Sequence, residues 1–337
     1  MTAPNTPYAP SAAPPASPKA GQTIKRPSVK TLLAQAKVTS ATRELDISFA
    51  YDVTPAVVRT LCACMPQLRK LIVREVGLQS LPAEVGDLVH LRELDLSHNA
   101  LAVLPPTLGR LGELQHLNVS RNRLAALPDT LDGMVNLRLL NANYNAIEAL
   151  PPSFGALQAL RVLRLGANAL QALPPQVAHL ADLRLVQLAY NSIDAVPDVL
   201  WDLPELKVVD ISYNAIDHWP ATSLLPRTLS SLNLTGNPLS HIPPSLLAAQ
   251  SHELKILGLP KAGSPVTQVA AVPRGTARPA PDEDNRLALN ATQDLTGILF
   301  AGLADFSVAG QPSTSPEAKP THLDRTTEPD AEDPNRP

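Results

Sequence analysis

Cysteine is almost absent from this chain, which carries two among 337 residues. Cys62 and Cys64 cannot supply a disulfide framework. Nothing near them in the sequence adds further metal ligands, so both read as small hydrophobes of a core. Long apolar runs are missing too. None approaches the ~20 residues that cross a bilayer, and no hydrophobic segment of a cleaved export signal follows Met1, so neither a membrane span nor Sec export is expected. Charge is nearly balanced at −3, which gives no reason to expect nucleic acid as a partner. Catalytic motifs are lacking as well. His90, His98, His116, His179, His218, His241, His252 and His322 stand singly, none in a short motif with a nucleophile and an orienting acid. There is no phosphate-cradling glycine loop and no zinc spacing. These absences point to a chain that is not an enzyme and that holds neither cofactor nor metal.

What is present is a beat of 23 residues. The frame Leu91-Arg-Glu-Leu94-Asp-Leu96-Ser-His-Asn99 returns at Leu114 to Asn122, Leu137 to Asn145, Leu160 to Asn168, Leu183 to Asn191, Leu206 to Asn214 and Leu229 to Asn237, with a degenerate copy from Leu68. Pro82, Pro105, Pro128, Pro151, Pro174, Pro197, Pro220 and Pro243 keep the same interval, the mark of a repeat architecture. Leu94-x-Leu96 alternates with the period of a short strand whose aliphatic side chains turn inward. Successive strands must run parallel, so each needs a crossover, which the segment with Leu101, Leu104, Pro105 and Leu108 supplies. Proline, fixed at φ of about −65° and without an amide donor, suits an extended or 3₁₀ outer arc. The asparagine amide both donates and accepts, so a buried column of asparagines can satisfy backbone groups where each strand ends.

These residues, Leu91 to Asn99 followed by Leu101, Leu104 and Pro105, resemble a leucine-rich repeat of the longer intracellular type. The chain is similar to plant Ras-group and cytosolic scaffold repeat proteins, and to the effectors that some bacteria inject into host cells through type III secretion. The resemblance implies an α/β solenoid: a curved horseshoe with a parallel concave β-sheet, a 3₁₀ or polyproline convex side, and partners bound on the concave face. Val76 departs from the asparagine column, as a frayed first coil would. Secreted ectodomains of the family usually cap the solenoid with disulfide-linked cysteines. Their absence here favours a reducing interior.

The ends differ from the middle. Residues 1–27 are rich in Ala, Pro, Ser and Thr, and no acid precedes Glu44; such a segment stays disordered, and it also resembles an uncleaved type III secretion signal. Residues 28–67 read as a helical N-terminal cap with an atypical first repeat. Val29, Leu32, Leu33 and Ala36 lie at helical spacing, Leu45 and Ile47 alternate as a strand, and Thr54 before Pro55 starts a helix whose apolar face is Val57, Val58, Leu61 and Cys62. The repeat domain covers 68–259. A Pro- and Ala-rich linker, 260–284, leads to a helix over 285–307 that either caps the last coil or binds a partner, and the tail 308–337 is expected to be disordered.

Specificity should then lie in the letters that vary. The position before each asparagine holds His98, Arg121, Tyr144, Ala167, Tyr190 and Tyr213, and takes three of the chain's five tyrosines. Tyrosines there either anchor a partner or pack on one another along the rim. The middle of the sheet shows Asp95, Asn118, Asn141, Arg164, Gln187 and Asp210 as polar candidate contacts. Arg69, Arg92, Gln115, Arg138, Arg161, Arg184 and Lys207 at the strand entrances read as a solvated rim in preference to a stripe for an anionic ligand. A monomer that binds a protein, with no nucleic acid and no membrane span, is expected. It is either a type III effector secreted into the host cytoplasm or a resident cytoplasmic scaffold in signalling. A cysteine-borne ubiquitin ligase is not expected, since Cys64 is the last cysteine, whereas an adaptor for a ligase stays open.

Overall fold

A computed structural model describes residues 27–35, 39–220, 225–240, 246 and 254–259. The chain divides into two units, 1–272 and 273–337, and every described residue falls in the first. The expected secretion segment before residue 27, the linker 260–284, the helix 285–307 and the tail 308–337 lie outside the described residues, as does Ala36.

Ten three-residue strands follow one another in a single sheet: β1 (Glu44–Asp46), β2 (Lys70–Ile72), β3 (Glu93–Asp95), β4 (His116–Asn118), β5 (Leu139–Asn141), β6 (Val162–Arg164), β7 (Leu185–Gln187), β8 (Val208–Asp210), β9 (Ser231–Asn233) and β10 (Lys255–Leu257). All neighbours are parallel, and Leu71, Leu94, Leu117, Leu140, Leu163, Val186, Val209 and Leu232 stand side by side. These side chains are at most 1% exposed. Each strand alone is too short to be stable. The regular interval solves this by putting every central leucine against its neighbour's, so one aliphatic column runs the length of the solenoid.

The convex side is built as the prolines predict. Pro82, Pro105, Pro151 and Pro174, at φ between −68° and −71°, each precede a 3₁₀ arc, over Ala83–Asp87, Pro106–Arg110, Pro152–Ala156 and Pro175–His179. The arcs touch closely. A Cβ on Gly86 or Gly109 would lie 2.3 or 2.0 Å from the carbonyl oxygen of Thr107 or Thr130 in the next coil, so these positions require glycine.

The asparagines form the predicted ladder. Asn168 Nδ2 donates to the carbonyls of Ala142 (3.0 Å) and Leu165 (2.9 Å), and its Oδ1 accepts the amide of Ile147 at 3.0 Å. Asn99, Asn122, Asn145, Asn191, Asn214 and Asn237 repeat this bridge between a coil and the one before it. Val76 has no such amide, and its own N–H donates to Asn99 Oδ1 at 3.3 Å.

At the N-terminal edge α1 (Val29–Gln35) and α2 (Pro55–Cys64) form the helical part of the cover. Thr54 caps α2 by accepting the Val57 amide at 3.3 Å, with Pro55 at the first turn where its missing donor costs nothing. Val58, Leu61 and Cys62 are buried. Burial, with Glu84 and Asp87 nearby, pushes the Cys62 thiol up to about 12, so it stays protonated. One expectation fails here: Cys64 is exposed. Two residues along a helix turn the side chain to nearly the opposite side, so the pair cannot share one buried face.

Candidate protein-binding surface on the concave sheet

Each strand turns its central residue into the core and its first and third residues outward. The third-residue column is the expected polar one. Asn118 Nδ2 donates to Asp95 Oδ2 at 3.1 Å, and Asn118 Oδ1 accepts the Ser120 hydroxyl at 2.8 Å. Asp210 Oδ1 accepts the Ser212 hydroxyl and amide at 2.6 and 3.1 Å. Asn141 Oδ1 accepts the Asn143 amide at 3.2 Å, and Asn143 Nδ2 donates to Gln187 Oε1 at 3.4 Å. Gln187 and Asp210 are only 5% and 4% exposed, so they serve as bed more than as contact. Burial raises the Asp210 carboxyl above its ordinary value against the opposing pull of Ser212, and it lowers the Arg164 guanidinium.

The first-residue column was not singled out from the sequence, and it changes character along the solenoid. It begins Lys70, Glu93, His116 and continues Leu139, Val162, Leu185, Val208. The signal was readable in the letters before each central leucine, which switch from charged to aliphatic between β4 and β5. Val162 and Leu185 are each 5% exposed, and Leu139 and Val208 are half-buried.

The column before the asparagines carries the largest surprise. Phe49, Glu75, His98, Arg121, Tyr144, Ala167, Tyr190 and Tyr213 all have φ between 52° and 63°, and Gly236 ends the series at 74°. Left-handed backbone costs a side-chain-bearing residue about 1–2 kcal/mol. Hydrogen bonds hold it there: the amides of Tyr144, Tyr190 and Tyr213 donate to the next coil's Gly166 (2.8 Å), Ser212 (3.0 Å) and Thr235 (2.7 Å) carbonyls. Glycine is the easier choice at such a site, so the backbone alone does not account for tyrosine at three of these steps.

The rings of this column lie across the direction in which coils stack. Tyr190 and Tyr213 are face to face, 4.4 Å apart and 6° from parallel. The Tyr213 ring rests on the backbone of Gly236, where a Cβ would come within 2.6 Å of it. Upstream, the Arg121 guanidinium carbon stands 4.2 Å over the Tyr144 ring. The tyrosines therefore do pack along the rim, while Tyr213 remains 37% exposed and Tyr144 and Tyr190 half-buried. Burial, and then Tyr213, raises the Tyr190 phenol above its ordinary value.

Charges are distributed as unevenly as the apolar groups. The early coils pair theirs: Lys70 with Glu93 at 2.9 Å and Arg74 with Asp95 at 3.9 Å, while His98 Nδ1 stands 3.8 Å from Glu75 and pairs with it as an ion only when protonated. On the rim Arg92 meets Glu113 at 3.1 Å, Arg161 meets Asp182 at 3.8 Å and Arg184 meets Glu205 at 3.6 Å. Arg138 and Lys207 have Ala159 and Thr228 at the matching position, and neither makes an ion pair among the described residues. Partial desolvation first, with Arg121 adding for His98, lowers the affinity of His98 and His116 for a proton, although both side chains keep an exposed edge. Among the described residues no group of three or more His, Cys, Asp or Glu side chains could hold a metal ion, and no helix is long and apolar enough to cross a membrane.

Leucine-rich-repeat family models match residues 66–124, 89–147, 158–216 and 228–249. Among solved structures, the leucine-rich-repeat domain of the type III effector XopL superimposes with a TM-score of 0.59 at 25% identity, over 67% of this chain and 79% of that one. An internalin, InlF from Listeria monocytogenes, gives 0.57 at 19% identity over 69% of this chain, a likeness of fold alone. The ectodomain of the Arabidopsis receptor kinase HAESA, solved with a peptide hormone ligand, gives 0.51 at 26% identity over 60% of this chain. The match spans 64% of the internalin and 35% of the HAESA ectodomain. No curated protein matches the sequence.

Proposed function

This chain is a leucine-rich-repeat protein, and we propose that it acts without catalysis, as a monomer that captures a protein on its concave sheet. The observation that carries this is the tyrosine column: Tyr144, Tyr190 and Tyr213 occupy left-handed backbone that glycine would fill more easily, at the edge of the aliphatic row Leu139, Val162, Leu185 and Val208. Amphipathic rings on a rigid surface are good anchors. Ten strands at about 4.8 Å spacing also give roughly 45 Å of sheet, enough for a standard interface. Tyr144, Tyr190 and Tyr213 are the anchors in this reading, with Arg121, Arg164, Asn118 and Asn141 as polar contacts. His98 and Asp95 form the outer edge of the site. Gln187 and Asp210 support it from below.

The partner is a host protein in this reading, met after type III delivery into the host cytoplasm. The acid-free N-terminal segment and the likeness to the XopL repeat domain support delivery. The repeat type itself equally supports a resident cytoplasmic scaffold, or a substrate adaptor for a ubiquitin ligase, and a reporter fused behind Met1–Arg26 separates the two. Export of the reporter by a secretion-competent bacterium is expected, and its retention removes the effector reading. For the surface, affinity capture with the full chain should lose its partner at least tenfold when Tyr144, Tyr190 and Tyr213 are replaced together by alanine. Unchanged recovery by a folded variant would sink the concave-face reading, and ubiquitin transfer by the purified chain would overturn the non-catalytic one.

A further inference from the structure

Before its tyrosines begin, the left-handed column holds Glu75, His98 and Arg121 at successive coils. Together with Gly77 these residues line an open hollow of about 470 Å³ at the edge of the concave face. The space over Gly77 is empty as well: its φ is 74°, and a Cβ built on it would meet nothing within 4 Å. Arg121 forms the wall nearest the tyrosines, and its guanidinium is already fixed in place. The guanidinium carbon stands 4.2 Å over the Tyr144 ring, a contact that uses the flat face and leaves the in-plane N–H groups uncovered. Among the described residues those N–H groups meet no carboxylate at ion-pair distance and donate no hydrogen bond. Lys70, Arg74 and Arg92 on the neighbouring coils each face an acid.

We infer that this hollow receives one carboxylate of the protein partner, forked by the in-plane N–H groups of Arg121 while the guanidinium face stays on Tyr144. A planar guanidinium does both at once, because stacking and bidentate bonding use different parts of it. Charge narrows the class of guest. Glu75 closes the far end two coil steps from Arg121, roughly 9–10 Å at ladder spacing, which is about a Debye length at physiological salt. A single negative charge is therefore balanced by Arg121, whereas a dianionic phosphate at neutral pH brings a second charge toward Glu75. His98 stands between the two. Partial desolvation, then Arg121 and Arg74, lower its affinity for a proton against the pull of Glu75 and Asp95. A carboxylate on Arg121 offsets that cation and attracts the proton, so the complex holds it more tightly than the free chain does. Binding then takes up a proton and tightens as pH falls below neutral, until the guest carboxylate itself protonates near about 4.

The inference rests on the reading that the concave face binds a protein, and short peptides titrated into the full chain test it separately, with the histidine ring protons followed by NMR. Acetyl-Gly-Asp-Gly-amide carries its carboxylate on a side chain, acetyl-Gly-Gly-Gly carries it at the chain end, acetyl-Gly-Asn-Gly-amide has none, and acetyl-Gly-phosphoserine-Gly-amide offers a phosphate. At pH 7.5 one of the carboxylate peptides should shift His98 and bind at least fivefold more tightly than the asparagine or phosphoserine peptide, and the tighter of the two names the source. At pH 6 that peptide should bind at least threefold more tightly still, with the His98 titration midpoint moved up, and His98→Gln should remove this slope. Arg121→Gln, in which the backbone bond to Asn143 is kept, should weaken binding at least tenfold. Gly77→Asp puts a like charge in the hollow on a residue type that tolerates left-handed backbone, and should weaken it at least fivefold whatever the fold of the first variant. Equal binding of the asparagine or phosphoserine peptide, or full binding by Arg121→Gln, overturns the carboxylate site, and an affinity that ignores pH overturns its coupling to His98. If no peptide binds while the full chain still captures a partner that the triple tyrosine variant loses, the carboxylate site is wrong and the concave-face reading stands. If the triple variant keeps its partner, that reading falls on its own.

Discussion

The two halves of the concave sheet share one core and wear different faces. From β2 to β4 the outward residues are Lys70, Ile72, Glu93, Asp95, His116 and Asn118, polar but for Ile72, with ion pairs at 2.9 Å between Lys70 and Glu93 and 3.9 Å between Arg74 and Asp95. From β5 to β8 the first outward column is Leu139, Val162, Leu185 and Val208, and the edge carries the three tyrosines. Beneath both run the aliphatic central column, leucine up to β6 and valine in β7 and β8, and the asparagine ladder from Asn99 to Asn237. Scaffold and recognition are therefore separable in this molecule: the repeated letters fix the coil, and the letters between them set what each stretch of surface can hold.

The strongest test of that separation is on the shared part. Asn122 in the polar half and Asn168 in the apolar half make matching bonds to two carbonyls and one amide. Replacing either by alanine strands buried backbone groups, at a cost of about 1–3 kcal/mol, and the two should agree within about 0.5 kcal/mol if the coils are energetically alike. Asn145, with the same set of bonds, should behave likewise. Denaturant midpoints decide it. A large loss at one asparagine and none at the other would mean that the halves differ inside as well as outside.

Binding should break the symmetry that stability keeps. Alanine at Asp95 and His98 together is expected to weaken partner capture less than fivefold, mainly through a changed and less salt-sensitive association rate, because exposed charges at the edge of an interface act on encounter more than on residence. The triple tyrosine variant should lose at least ten times. Association and dissociation rates measured at two salt concentrations separate these effects, and equal losses from both sets would place the site across the whole sheet.

Most of the fold was legible because its determinants recur. Leu94, Asn99 and Pro105 each mean little alone, but the same letters every 23 residues specify a strand, a closure and an arc. The site was legible only in part, for three physical reasons. The left-handed backbone at His98, Arg121, Tyr144, Ala167, Tyr190 and Tyr213 leaves no glycine signature until Gly236, since hydrogen bonds from the next coil hold the strained residues in place. Gln187 and Asp210 have the chemistry of surface residues, and burial is a property of crowding on a concave sheet that no single repeat reveals. The aliphatic row escaped because Leu139 and Val162 look like core letters displaced by one position, and only the strand register shows that they face outward.

Acid should separate the halves by a smaller margin and in opposite directions. His98 and His116 remain exposed, and partial desolvation on the crowded sheet still lowers their folded-state proton affinities from 6.5, so the unfolded chain binds their protons first and the effect on stability is small. Their contribution is intact above pH 6.5 and falls away as pH drops below it. Asp210, in the other half, has its affinity raised from 3.8 by burial. Its buried charge opposes folding above the raised value, and that penalty disappears as the group protonates on the way down. His116→Gln should therefore flatten the loss of stability between pH 7 and 5. Asp210→Asn, which removes the charge while an amide oxygen can still accept from Ser212, should leave stability at pH 7 equal or higher. Urea midpoints for both variants at pH 7 and 5 are the measurement. A steeper acid loss in His116→Gln, or a clear loss at pH 7 in Asp210→Asn, would show that these groups are held by bonds to their charged forms and not penalised by burial.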